Sequence, residues 1–390
     1  MDRILSRVLA AAAFTLFFSY EAAAQQAVHQ SGNAYDIAVC GPVNVLQAHC
    51  QARIVTDAAG HPLASPPGVI SGYDPSQLRS AYSIAALGKS TNAVAIIAGY
   101  GYDNAEADLG VYRAQWGLPR CTSKSGCFSK FNQLGQKGNY PTQNNGWALQ
   151  SAIELDMASA MCERCMLFLI EADDDSMKNL ALAANEAATL GAHVIIAGYG
   201  GDEVANKKLA KYYDHSGLAV VASAGDDGYG VIFPATSPHV IAVGATKLSL
   251  SGGTRLSETV SSLTGSGCST VFKKPAWQHD PDCSMRTAND VSADGDGSTG
   301  VAFYGPDLNS GVPGWFVGAG TAVSASIVGG IYGLGIKPIK SASRLYSHGS
   351  DLYDITSGSN GSCGSAYLCH GVTGYDGPSG MGSPNGPAAF

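Results

Sequence analysis

Charge is scarce in this chain. Asp, Glu, Lys and Arg make up only 14% of its 390 residues, against ~25% in an ordinary globular domain. No run of Lys or Arg occurs and the formal net charge is −8, which leaves nothing to grip phosphates and excludes a nucleic-acid partner. Transition-metal chemistry lacks its parts too, because the nine His residues are scattered without an HExxH or His-x-His cluster. Beyond residue 24 no stretch is apolar enough to cross a bilayer, so no membrane partner is expected. No internal repeat of 20 to 50 residues appears, which sets aside solenoids and propellers. Few charges do not mean disorder here. Hydrophobic residues reach 45% and glycines number 49, a balance that suits a packed domain with many tight loops.

What is present begins with an export signature. Arg3 and Arg7 precede the uncharged run Val8 to Tyr20, and Ala22-Ala23-Ala24 offers small residues for cleavage, so residues 1–24 read as a signal peptide. A secreted or periplasmic location follows. The ten cysteines fall into neighbouring couples: Cys40/Cys50, Cys121/Cys127, Cys162/Cys165, Cys268/Cys283 and Cys363/Cys369. An even count at short intervals in an exported chain suggests five local disulfides, although spacing alone leaves the pairing open. Cys162-Glu163-Arg164-Cys165 has CxxC spacing but follows a helix instead of opening one. A structural bridge is therefore preferred to redox chemistry or a zinc half-site.

Residues 25–68 read as a leader with one disulfide and a Ser65-Pro66-Pro67-Gly68 exit; residues 69–390 read as one domain. Ala93 to Ala98 is a continuous apolar run fit for a strand buried on both faces. Helices are expected over Asn104 to Trp116, Ala148 to Met161 and Ser176 to Leu190, the last capped by Ser176 and closed by Gly191. Strands are expected over Met166 to Ile170, His193 to Ala197, Ala219 to Ala222 and Val240 to Val243. This alternation implies an α/β domain with a mainly parallel β-sheet flanked by helices. The stretch from about 250 to 315, rich in Gly, Ser, Asp and Pro, predicts long surface loops, followed by a helix from Gly320 to about Tyr332. Two motifs fail. Gly99-Tyr100-Gly101 lacks the third glycine of a dinucleotide fingerprint, Asn104 standing in its place. Asp173-Asp174-Asp175 reads as a solvated turn capping the next helix.

Several ordered stretches carry a resemblance. They are Tyr102-Asp103-Asn104-Ala105-Glu106-Ala107-Asp108-Leu109, Gly225-Asp226-Asp227-Gly228-Tyr229-Gly230, Lys274-Pro275-Ala276-Trp277-Gln278, Asp290-Val291-Ser292-Ala293 and Gly374-Tyr375-Asp376-Gly377-Pro378-Ser379-Gly380-Met381-Gly382. With them the chain from about Gly72 to Phe390 resembles the sedolisin family of secreted serine-carboxyl peptidases. The resemblance implies a subtilisin-like fold and peptidase chemistry in acid. No long activation segment precedes the core, so zymogen control is not expected.

In that family a serine attacks the peptide carbonyl, a glutamate takes its proton, and an aspartate one helical turn later orients the glutamate. A second aspartate, protonated in acid, donates to the developing oxyanion. Matched on Asn145-Gly146-Trp147 and Leu155-Asp156-Met157-Ala158, the base position holds Gln150 and the orienter position Glu154. The nucleophile position, inside Gly318-Ala319-Gly320-Thr321-Ala322, holds Ala322; only the oxyanion aspartate survives, as Asp226. An amide oxygen has no useful basicity and a methyl group cannot attack. Ser324 should point roughly 200° away on the helix, Thr321 would need the backbone to turn, and Asp156 should face elsewhere. The substrate-side strand reads Ile196-Ala197-Gly198-Tyr199-Gly200 and could still pair with an extended peptide. The resemblance also implies a structural calcium site formed by Asp354, Ile355, Val372, Gly374 and Asp376, hard oxygen ligands suited to that ion. The expected function is thus a calcium-stabilised monomeric pseudo-peptidase that binds a peptide or protein. The alternatives are an active acid serine-type endopeptidase with a rearranged site, and hydrolysis of another bond by a Glu154/Asp226 acid pair.

Overall fold

The computed structural model describes residues 27–66, 68–85, 90–335 and 341–390, and the expected signal peptide lies outside them. Ala93–Gly99 sits at the heart of the main sheet with all seven residues buried. Its Val, Ile and Ala side chains face packed helices on both sides, which is why the run shows no alternation. It pairs in parallel with Met166–Ala172 on one side and Val194–Ala197 on the other. Phe128–Asn132, Ala219–Ser223 and Ile241–Ser251 extend the parallel arrangement, and Thr254–Val260 adds one antiparallel edge.

The three expected helices form at Ala105–Gln115, Asn145–Met161 and Met177–Thr189. Ser176 caps the last by accepting from the Asn179 N–H, and Gly191 follows with φ +86°. Asp174 accepts from the Ser176 N–H at 2.9 Å and from Asn179, so the acidic triplet acts as the predicted turn before this helix. Asn145–Met161 starts one turn earlier than expected because Asn144 accepts from the Trp147 N–H and supplies the cap. All ten cysteines pair, in the five local couples.

Two regions differ from expectation. The stretch 250–315 contains not mainly loops but the strands Thr254–Val260, Gly267–Lys273, Met285–Ala288, Val291–Asp294 and Val301–Pro306, with Pro313–Ala319 following. Its polar residues had masked them. Asp290, Ser292 and Asp294 are fully buried and hydrogen-bonded internally, Asp294 through its Oδ1 to the Leu248 N–H and the Thr299 hydroxyl. Residues 29–56, expected as a leader, are built into the fold. Ala34–Ala38 and Arg53–Thr56 join Pro313–Ala319 and Val301–Pro306 in an antiparallel sheet. Asp36 and Arg53 form a buried ion pair within it.

Thr321–Leu334 is buried along nearly its whole length and packs on Asn145–Met161. Small residues permit the close approach: a Cβ at Gly330 would come within 2.7 Å of Met161 Cβ and 2.8 Å of the Ala158 carbonyl oxygen. Gly330→Ala should therefore lower stability by about 1–3 kcal/mol through overpacking, outweighing the ~1 kcal/mol that alanine gains in helix propensity. Gly110→Ala, in a helix where nothing lies within 4 Å of the added carbon, should instead stabilise. Urea unfolding of both variants checks the pair of signs.

Candidate active site

Two helices and one loop carry the four positions that the resemblance singled out. Gln150 and Glu154 project from one face of Asn145–Met161, and Ala322 lies in the first turn of Thr321–Leu334; all three are fully buried. Gly320, with φ +96°, turns the chain into that helix. A side chain there would meet the Gln51 carbonyl oxygen at 2.5 Å and Asp226 Oδ2 at 2.6 Å, so glycine is required both by the turn and by the crowding. Gly198 is equally constrained. A Cβ on it would overlap Glu154 Oε1 and lie 3.1 Å from the Ala322 methyl. Glu154, Gly198, Ala322, Gln51 and Asp226 thus surround one small volume.

Asp226 is held by its Oδ1, which accepts at 2.8 Å from both the N–H and the hydroxyl of Thr321. Its Oδ2 is buried with no hydrogen-bond partner among the described residues. Burial pushes its carboxyl up to about 7, against the opposing pull of Arg53 and the Thr321 donors. Burial likewise drives Glu154 well above the carboxylate range, with the Gly198 backbone pulling the other way. Asp226 is therefore neutral in mild acid, and Glu154 is shifted in the same direction. Neither Glu154 oxygen and neither amide atom of Gln150 finds a partner among the described residues. Four unpartnered polar atoms on two adjacent turns of one buried helix face are costly and call for a reason.

The possible substitutes face away. The Ser324 hydroxyl donates to the Ala293 and Asp294 carbonyls, and Asp156 accepts from the Tyr304 N–H at 2.9 Å. Thr321 begins the elbow helix, and its hydroxyl donates to Asp226 Oδ1 at 2.8 Å.

One occupant was missed in the sequence. Gln51 donates its N–H to the Gly198 carbonyl at 2.9 Å, and its own carbonyl accepts from the Ala322 N–H at 2.8 Å. Its sequence signal is slight: the Cys40/Cys50 couple beside it and the short strand-like run Ile54-Val55 after it. Asp354 and Asp376 do meet at one loop. Asp354 accepts from the Gly374 N–H and Asp376 from the Val372 N–H, each at 3.0 Å. Val372 stays outside the positive-φ region that Gly374 occupies at +83°.

A mainly parallel sheet between helices, with an elbow helix facing a second helix that carries paired polar positions, defines the subtilisin-like α/β scaffold of serine peptidases. No family model matches the chain. It is 25% identical over 398 residues to Sedolisin of Pseudomonas sp. (strain 101), covering 88% of this chain and 65% of that protein. It is 28% identical over 362 residues to Kumamolisin of Bacillus sp. (strain MN-32), covering 81% and 62% respectively. The chain thus spans less than two thirds of the length of these relatives. The solved structure of Pseudomonas sedolisin complexed with pseudo-iodotyrostatin superposes with a TM-score of 0.68 at 23% identity, over 82% of this chain and 96% of that one. Over most of its length the chain is thus similar to members of the sedolisin family, and it shares their subtilisin-like fold.

The buried acids set a pH dependence. A carboxyl raised in the native state binds its proton more tightly there than in the unfolded chain. Its contribution is full below the unfolded value of ~4 and is lost as pH rises through the folded value. Asp226 and Glu171 are both pushed up to about 7 by burial, and Asp156 and Asp294 shift the same way. Urea unfolding should therefore show a protein more stable at pH 4–5 than at pH 8, and Asp226→Asn should flatten part of that slope.

Proposed function

We propose that the protein is an exported sedolisin-fold pseudo-peptidase, stabilised by calcium, that serves as a binding module and hydrolyses no amide bond. The observation that carries this reading is the Ala322 methyl at the elbow, with the non-basic Gln150 on the facing helix. In subtilisin, loss of the catalytic residues costs about 10⁶ in turnover, which is about 8 kcal/mol of barrier. Asp226 retains the shape of an oxyanion donor, but donation to an oxyanion has no purpose when no oxygen attacks. Export is supported by the five disulfides. Among the described residues no helix is long and apolar enough to cross a membrane. A protein ligand would be met by the outer loops, since the old cleft is filled from within.

The donor set at Asp354 and Asp376 fits calcium. Two carboxylates approach one loop, and the Asp354 charge adds to the burial that raises Asp376. Asp354, Asp376 and the carbonyls of Ile355, Val372 and Gly374 would hold the ion, whose role there is to neutralise the two acids and fix the loop.

Incubation with denatured casein and an internally quenched peptide library from pH 3 to 7 should give no turnover. Hydrolysis that disappears in Glu154→Gln would contradict the reading. Millimolar calcium should raise the melting temperature and a chelator should reverse it; the shift should vanish in Asp354→Asn, and its absence from the unaltered protein removes the calcium assignment.

A further inference from the structure

The segment Gln47–Arg53 runs antiparallel along the strand that the resemblance assigns to the substrate side. His49 and Cys50 pair antiparallel with Gly200 and Tyr199 of the substrate-side strand. Upstream, the Ala48 N–H donates to the Asp175 carbonyl and the Gln47 side chain to the Asp175 carboxylate. At the other end Gln51 bridges the two walls of the cleft, its N–H to Gly198 and its carbonyl to the Ala322 N–H. The first N–H groups of a helix have no partner within it, and at a nucleophile elbow such a group is placed to receive the oxygen of the carbonyl under attack. Here the chain's own carbonyl takes that place, in the neighbourhood of Asp226 Oδ2. Ala48, Cys50 and Ala52 are fully buried and Gln51 is 3% exposed, so nothing remains open above them. The Cys40–Cys50 bridge clamps the segment on one side of Gln51, and pairing of Arg53–Thr56 with the strands Ala34–Ala38 and Pro313–Ala319 clamps it on the other. A hollow of about 660 Å³ beside Asp226 opens along one side of the segment, where His49 and Arg53 line it together with Asp227.

We infer that Gln47–Arg53 is a built-in substrate mimic that fills the peptide groove, with the Gln51–Ala52 bond at the silenced reaction centre. This deepens the pseudo-peptidase reading by naming what the groove holds. A tethered segment competes at an effective concentration of the order of mM or more, so free peptides at micromolar levels do not displace it. The same geometry identifies the first bond that restored chemistry would break. With Ala322→Ser, Gln150→Glu and Glu154→Asp combined, the introduced hydroxyl oxygen bonds to the Gln51 carbonyl carbon while the residue-150 carboxylate takes its proton. That proton passes to the Ala52 nitrogen as the C–N bond breaks, and water then hydrolyses the ester on Gln51.

Two measurements test this. Hydrogen exchange on the unaltered protein reads occupancy whether or not any activity exists: the Gln51 and Ala322 amides should exchange on the order of 10³-fold or more slower than an unprotected amide. Exchange at unprotected rates overturns the proposal while leaving the casein result untouched. In the triple variant at pH 4, denaturing mass analysis should find a fragment ending at Gln51 and a new amino terminus at Ala52. A variant that digests casein while Gln51–Ala52 stays intact overturns the proposal.

Discussion

The structure depends on one backbone meeting: an extended segment near the amino-terminal side joins the inner strand of the main sheet and the first turn of the elbow helix at a single residue, Gln51. Each of its two hydrogen bonds contributes only about 0.5–1.5 kcal/mol net. Their importance is positional. They connect the antiparallel sheet, the parallel sheet and the two packed helices in one buried place. Gly198 and Gly320 are the conditions for that meeting, since a side chain at either would push Glu154 or Gln51 aside.

Around this point the molecule has the architecture of the sedolisin-like scaffold, with Ala322, Gln150 and Glu154 buried in its two packed helices. Burial that would tune a catalytic acid still raises Asp226 and Glu154. The same burial acts on stability, favouring the native state in acid. Thr321 shows the shift in role. Its N–H and hydroxyl are spent on holding the Asp226 carboxyl in position.

Much of this was legible in the chain, and the rest was hidden for physical reasons. Ala93–Gly99 and Met177–Thr189 were plain because a doubly buried parallel strand and a capped amphipathic helix leave unmistakable apolar patterns. The cysteine couples foretold the five bridges because each loop is short. Val291–Asp294 was hidden because a strand of Val, Ser, Ala and Asp looks like a loop unless its polar groups are known to be satisfied inside. The substitutions at Gln150, Glu154 and Ala322 could be read from residue identity and family resemblance. That Gln51 lies against Ala322 and Gly198 could not, because the pairing joins residues far apart in sequence through backbone atoms, which carry no residue-specific signature.

The pairing of Ile54 with Gly318 and Arg53 with Ala319 has a consequence for how the protein comes into being. More than 250 residues separate the partners, so this contact belongs to the slow, non-local class that waits on loop closure. As the chain emerges, residues 47–53 are made early, yet nothing can hold them against the elbow until residue 322 has also emerged. That contact must therefore wait until the whole of the intervening domain has been made.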